Sequence, residues 1–210
     1  MIRIDIISVQ PKMFEGFLRE SIVARAVKKG ACEINVVDLR EFGEGRWRKV
    51  DDKPYGGGPG MLMKCAPWFA AVESCLKSKV SGPEPGGGPE TLDERRRIIM
   101  TSPAGKTFTQ RDAEMFASLA TSATLTPETC NLEPETCNLE PETCNLEPET
   151  CHLIFLCGHY EGFDARIETL ATDKYSIGDF VMTGGELAAA CAWAAATATR
   201  PKPTSCGFCP

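Results

Sequence analysis

The sequence predicts an α/β fold, a mostly parallel sheet with helices on both faces. Two observations predict it: runs rich in β-branched residues alternate with segments of helical periodicity, and glycine-dense loops follow several of those runs. IRIDIISV (residues 2–9) reads as a buried strand. Pro11 opens a helix over 11–29, with Phe14, Phe17, Leu18, Ile22 and Val23 on one face and Gly30 as its stop. CEINVVDL (32–39) is a second strand, and a glycine-rich loop leads from it to a helix over 66–79. RIIMTS (97–102) is a third strand, followed by a helix over 109–119. HLIFLCG (152–158) is a fourth strand and YSIGDFVM (175–182) a fifth, with an alanine-rich helix over 185–198.

Two stretches interrupt this order. Residues 81–95, rich in Gly, Pro and Glu, read as a polar insertion. Residues 126–151 repeat a seven-residue unit, PETCNLE, beginning at Pro127, Pro134, Pro141 and Pro148. A period of seven suggests a coiled coil, but one proline per unit, at about 3 kcal/mol each inside a helix, defeats it. The composition is that of a flexible low-complexity insertion. Lengthening a helix-to-strand loop from about 4 to about 30 residues costs only about 1.8 kcal/mol by the logarithmic closure law. Function is therefore expected in the segments it separates, within one domain over 1–200, with 201–210 a disordered tail.

The formal charge of −6 is misleading. Seven glutamates and no Lys or Arg lie in residues 127–151, and without those glutamates the charge is +1. An RNA partner is neither suggested nor excluded by it. No apolar run approaches the ~20 residues of a membrane span, and MIRIDIISV lacks the zones of a signal peptide, so a cytoplasmic chain without a membrane partner is expected. The 11 cysteines fit scattered thiols better than a disulfide framework, and the lone CGFC at the end is half a zinc site at most. No metal is expected.

Four loops carry the chemistry: KPYGGGPGM (53–61), TSPAGK (101–106), CGHYEG (157–162) and IGDFVMTGGE (177–186). In an open α/β sheet, ligands collect at the carboxyl ends of strands, where glycines let backbone approach them. Neither GxxxxGK[ST] nor GxGxxG after the first strand is present, which counts against a P-loop NTPase or a Rossmann dinucleotide enzyme. In this order, VDDKPYGGGPGMLM, SPAGK, LCGHYEGFDAR and YSIGDFVMTGGEL resemble the bacterial tRNA (guanine-N1)-methyltransferases, the TrmD group of knotted SPOUT methyltransferases. The opening IISVQPKMF and the RAVKKG helix end match too.

The resemblance implies a deep trefoil knot in the carboxyl half, S-adenosyl-L-methionine held in it, and a homodimer that methylates N1 of guanine 37 in the tRNA anticodon loop. By matching motifs, Gly158 and the run Ile177, Gly178, Asp179, Phe180, Val181 and Met182 line the cofactor pocket. Ser102, Pro103, Gly184 and Gly185 stand close by. Asp51, Tyr55, Gly58, Gly60 and Glu161 match the guanine side. Read without the resemblance, Asp51 or Asp52 caps a turn, Glu161 is a solvated acid and His159 an ordinary loop residue.

The pattern breaks after GGEL. The family's general-base aspartate and tRNA-gripping helical domain are expected beyond the end of this chain, so no catalytic residue is assigned. An ungapped alignment puts the family's catalytic-helix arginine at Ala198, with Arg200 two residues on and rotated roughly 200° on a helix. Loss of a general base typically forfeits about 10²–10⁴-fold in rate. The alternative to a tRNA methyltransferase impaired in this way is an inactive dimeric fragment that binds S-adenosyl-L-methionine.

Overall fold

A computed structural model describes residues 2–77, 96–119 and 151–198. The insertion at 81–95, the tail at 201–210 and all but the last residue of the 126–151 repeat lie outside the described residues. That last residue, Cys151, is not part of an insertion: it is buried and begins a strand.

Five strands form one all-parallel sheet: β1 (Ile2–Ser8), β2 (Cys32–Asp38), β5 (Arg96–Thr107), β6 (Cys151–Cys157) and β7 (Asp173–Ser176), in the order β2-β1-β6-β5-β7. Two-residue strands β3 (Asp51–Asp52) and β4 (Leu62–Met63) make a separate antiparallel ribbon that the sequence pattern did not reveal. The centre of the sheet is β6, CHLIFLC, buried at every position. A strand covered on both faces is apolar rather than alternating, and this one is so from Leu153 to Cys157.

Side chains alternate across the pleat. Ile2, Ile4, Ile6, Leu153 and Phe155 face one helical layer, where Phe14, Val23, Phe116 and Trp193 are buried. That layer contains α1 (Glu15–Arg19), α2 (Ser21–Lys28), α4 (Gln110–Leu119) and α5 (Glu186–Ala198). Ile7, Ile154 and Leu156 face the other, where α3 (Cys65–Lys77) supplies Trp68 and Val72. Short 3-10 turns at Leu39–Phe42 and Ala165–Leu170 complete that layer with Leu39 and Ile167. Small residues bring α5 close: Ala189, Ala192 and Ala196 are all buried.

Three expectations change. The helix expected over 11–29 is a 3-10 turn, Pro11–Phe14, then α1 and α2, separated by Glu20 in extended conformation (φ −114°, ψ 161°). Phe14 and Val23 would lie about 180° apart on one continuous helix. The break at Glu20 lets both reach the core. The third strand continues past Ser102 to Thr107, but it leaves its partner on the way: Thr101 and Lys106 both pair with Tyr175, and the residues between bulge out. Gly105 permits this, because a Cβ there would stand 2.7 Å from the Tyr175 backbone. The fifth strand stops at Ser176 rather than reaching Met182, so the IGDFVM run is loop.

Under α3 the sheet buries charge. His152 Nε2 lies 2.7 Å from Asp5 Oδ2, and Arg3 Nε lies 3.4 Å from the same oxygen. Burial raises the Asp5 carboxyl, but the hydrogen bond and charge of His152, with the Arg3 guanidinium, outweigh it and hold the pKa below the usual 3.8. Burial, with the Asp5 charge, also pushes the neighbouring Cys75 thiol up to about 12. A carboxyl lowered on folding stabilises fully above its unfolded pKa, and the contribution fades as pH falls through the folded value. Asp5→Ala is therefore expected to cost about 3 kcal/mol in urea denaturation at pH 7. The difference from the parent should shrink as pH is lowered below about 4; an equal loss at pH 3 and pH 7 would contradict the assignment.

Candidate active site

The carboxyl ends of β5, β6 and β7 open into three loops, and together with the turn into α5 these enclose a cavity of about 490 Å³. Its wall takes Ser102 and Pro103 from the bulge after Thr101, Gly158 from the end of β6, and Ile177, Phe180, Val181 and Met182 from the loop after β7. Gly184, Gly185 and Ala188 close it from the α5 side. Of the expected cofactor positions, Gly178 and Asp179 lie in the right loop but outside this wall. Gly178 instead exchanges hydrogen bonds with Ser176, its amide donating to the hydroxyl, which donates to its carbonyl.

The glycines are small for a reason other than contact with a ligand. Gly185 N–H donates to Gly158 O at 2.7 Å, and His159 pairs with Gly184 as an antiparallel bridge. A Cβ at Gly185 would collide with Thr101 Oγ1 and stand 3.0 Å from the Gly158 nitrogen; one at Gly158 would stand 2.6 Å from the Phe163 ring. Loop packs on loop here, and no side chain fits between.

The residues that the resemblance matches to guanine divide. Glu161 lines the cavity and accepts from the Met61 amide at 2.6 Å, while its own amide donates to Met61 O. Gly60, at φ +92°, packs so close to the Glu161 carboxylate that a Cβ would overlap it. Met63 N–H donates to Gly162 O, and Asp164 N–H to Met63 O. The 53–61 loop is thereby seamed onto the CGHYEG loop. Tyr55 lines a second, polar cavity of about 380 Å³ on the other side of that seam, with Lys53, Lys64, Asp164 and Arg166. Asp51 is in β3, half-buried, and Gly58 is exposed; neither lines either cavity.

Sequence reasoning missed Glu186. Its carboxylate is buried behind the cavity, accepts from Ser8 Oγ at 2.8 Å, and lies 3.9 Å from His159 Nδ1. Ser8 Oγ in turn accepts from the Gln10 amide. The end of β1 is thus tied to the start of α5. The available signal was a carboxylate directly after two glycines at a helix start, a place that reads equally as a solvated first-turn acid. Thr101 was also missed; its hydroxyl donates to Leu156 O beneath Gly185.

The SPAGK bulge is pinned from below. Asp112 accepts from the Thr109 amide and hydroxyl at 2.9 and 2.6 Å, which satisfies the free amide at the start of α4, and pairs with Lys106. Tyr175 OH reaches the same carboxylate at 3.3 Å.

A parallel α/β sheet with a glycine-walled cavity at its carboxyl edge defines a ligand-binding domain of the open-sheet class. The family model described as "tRNA (Guanine-1)-methyltransferase TrmD" matches residues 2–125 and 115–199, and the chain belongs to that family. Among curated relatives named tRNA (guanine-N(1)-)-methyltransferase, that of Enterococcus faecalis is 37% identical over 187 residues, 89% of this chain and 58% of the relative. Those of Listeria welshimeri and Geobacillus kaustophilus are 40% and 41% identical over 188 residues, 89% of this chain and 59% of each relative. The chain spans less than two thirds of the length of these relatives. Among the described residues, no helix is long and apolar enough to cross a membrane, and no group of three or more His, Cys, Asp or Glu could hold a metal ion.

Burial raises the Asp112 carboxyl, but the hydrogen bonds from Lys106 and Thr109 outweigh it and bring its pKa down to about 2. The stability it contributes should be complete above about pH 4 and lost as pH falls toward 2. Asp112→Ala is expected to lower stability at pH 7 by about 1–2 kcal/mol in chemical denaturation, through the lost Thr109 hydrogen bonds and the freed Lys106. A melting temperature unchanged from the parent would show that the bulge is held by something else.

Proposed function

We propose that this chain binds S-adenosyl-L-methionine in the 490 Å³ cavity and serves transfer of its methyl group to N1 of guanine 37 in tRNA. The observation that carries this reading is the seam at Glu161. It joins a ligand-sized cavity to the glycine loop that the family resemblance assigns to guanine. The volume is within the range of small-molecule sites, about 300–1,000 Å³. The donor set suits the cofactor: apolar Ile177, Val181, Met182 and Ala188 for an adenine ring, backbone at Gly158 and Gly184 for its polar edge, and Glu161 for cationic groups. When bound, the cofactor supplies an electrophilic methyl group.

The residues then orient and exclude. Gly158, Gly184 and Gly185 hold the loops in contact, so the wall is preorganised and little entropy is lost when a ligand arrives. Glu161 has one oxygen taken by the Met61 amide and one left for the ligand. Seating of the 55–61 loop against it places guanine beside the cofactor cavity, where proximity supplies much of the rate. The proton on guanine N1 must leave as the methyl arrives, and a base is needed for it; the family resemblance assigns that role to an aspartate, which is matched to no residue of this chain. The homodimer and the trefoil threading that the resemblance implies belong to the same reading. Met13, Phe17, Ile22 and Leu187, exposed apolar side chains of one helical layer, support a dimer.

Titration calorimetry with S-adenosyl-L-methionine tests the cavity. The parent should bind. Gly158→Val should lose at least about tenfold in affinity, because its branches force Phe163 into the wall. Gly16→Val, where a Cβ meets nothing within 4 Å, should bind as the parent does. Incorporation of labelled methyl into unmodified tRNA with guanine 37, compared with tRNA carrying adenine there, tests the acceptor. Absence of cofactor binding by the parent would overturn the reading.

A further inference from the structure

Residues 43–49 form a hairpin that the site as described does not use. Glu44 and Lys49 pair in both directions, at 3.1 and 3.0 Å, and Arg48 N–H donates to Gly45 O at 3.2 Å. Gly45 (φ +70°) and Arg48 (φ +47°) take the left-handed conformations that close the turn. Gly43 packs under it: a Cβ there would collide with the Arg48 carbonyl. On this hydrogen-bonded frame Trp47 is 78% exposed, whereas the other two tryptophans, Trp68 and Trp193, are fully buried. The Arg46 guanidinium lies 5.9 Å from the Trp47 ring centroid.

Around Trp47 stand the cations of Arg46, Arg48, Lys49 and Lys53, of which Lys49 acts electrostatically on Asp52. The nearby carboxylates of Glu44 and Asp52 are taken by Lys64, at 3.1 and 3.6 Å. Among the described residues, no carboxylate lies within 4 Å of the cationic groups of Arg46, Arg48, Lys49 or Lys53. The hairpin leads directly to the active site. Val50 O accepts from the Lys64 amide, Asp51 pairs with Met63, and Met63 is bonded to Gly162 in the cavity wall. The second cavity, which includes Lys53 and Arg166, fills the space between.

We propose that the Trp47 hairpin and the second cavity form a docking surface for the single-stranded RNA flanking the target guanine, with a base stacked on Trp47 and phosphates on Arg46, Arg48, Lys49 and Lys53. An exposed ring with interleaved cations is the chemistry that holds unpaired nucleotides: every base has a face to stack, and every linkage a charge to neutralise. This rests on the reading of the first cavity as a guanine methylation site, since that reading makes RNA the molecule passing the seam.

The test uses the emission of Trp47, the one tryptophan of the three that is open to solvent. Unmodified tRNA should quench it and shield it from iodide, and Trp47→Phe should remove that signal while keeping most of the affinity. Trp47→Ala should weaken tRNA binding about tenfold. Arg46→Ala/Arg48→Ala/Lys49→Ala should reduce the slope of log affinity against log salt by about 2. Calorimetry with S-adenosyl-L-methionine should give parental affinity in every variant, which separates this surface from the cofactor cavity. If the parent fails to bind the cofactor, the cavity reading falls while the Trp47 titration still decides the surface. Parental tRNA affinity and salt slope in the alanine variants would overturn the proposal. So would a concentration-dependent shift of Trp47 emission without RNA, which would assign the hairpin to contact between copies of the chain.

Discussion

Everything around the candidate site depends on one close approach, the hydrogen bond from Gly185 N–H to Gly158 O at 2.7 Å. It joins the end of the central strand to the start of the last helix. Neither position has room for a side chain: Thr101 already fills the space where a Cβ on Gly185 would go, and the Phe163 ring the space at Gly158. The bond also aligns Gly184 with His159, and Glu186 follows directly, held by Ser8 from the end of β1. Four chain segments therefore converge on one point beneath the cavity. A cavity floor held in this way is rigid before any ligand arrives, as electrostatic and steric preorganisation requires.

What was legible in the sequence was what local pattern determines. The short run HLIFLCG read as a strand and proved to be the buried centre of the sheet, and the alternation of strands with helices led to the parallel sheet. What was not legible depended on partners far along the chain. The break at Glu20 exists because Phe14 and Val23 must both reach one core, which no window around residue 20 reveals. SIGDFVM looks like a strand, yet the chain leaves the sheet at Ser176, whose carbonyl accepts from Phe108 across the bulge of β5. Glu186 reads as a solvated helix acid until Ser8, 178 residues away, is seen to bury it.

The glycine motifs have a structural reason that a local reading does not supply. Read locally, they are places where backbone can approach a ligand. In the fold, Gly158, Gly184 and Gly185 are first of all places where loops approach one another. The distinction has a consequence for specificity. If the glycines contacted only ligand, enlarging one would trim a pocket. Since they set the spacing of the wall, enlarging one moves Phe163 or Thr101 and with it the whole cavity.

The same logic explains why two cavities share one wall. Glu161 and Gly162 face the first, Asp164 and Arg166 the second, and the backbone between them is bonded at Met61 and Met63 to the incoming ribbon. A loop fixed on both sides cannot move for one cavity without moving for the other. Asp164 reinforces this, for its carboxylate accepts from the Arg166 amide and holds the guanidinium at 2.7 Å, which keeps the turn after Phe163 closed. Residues facing the two cavities are thus held on one short, hydrogen-bonded strip of backbone, 161–166.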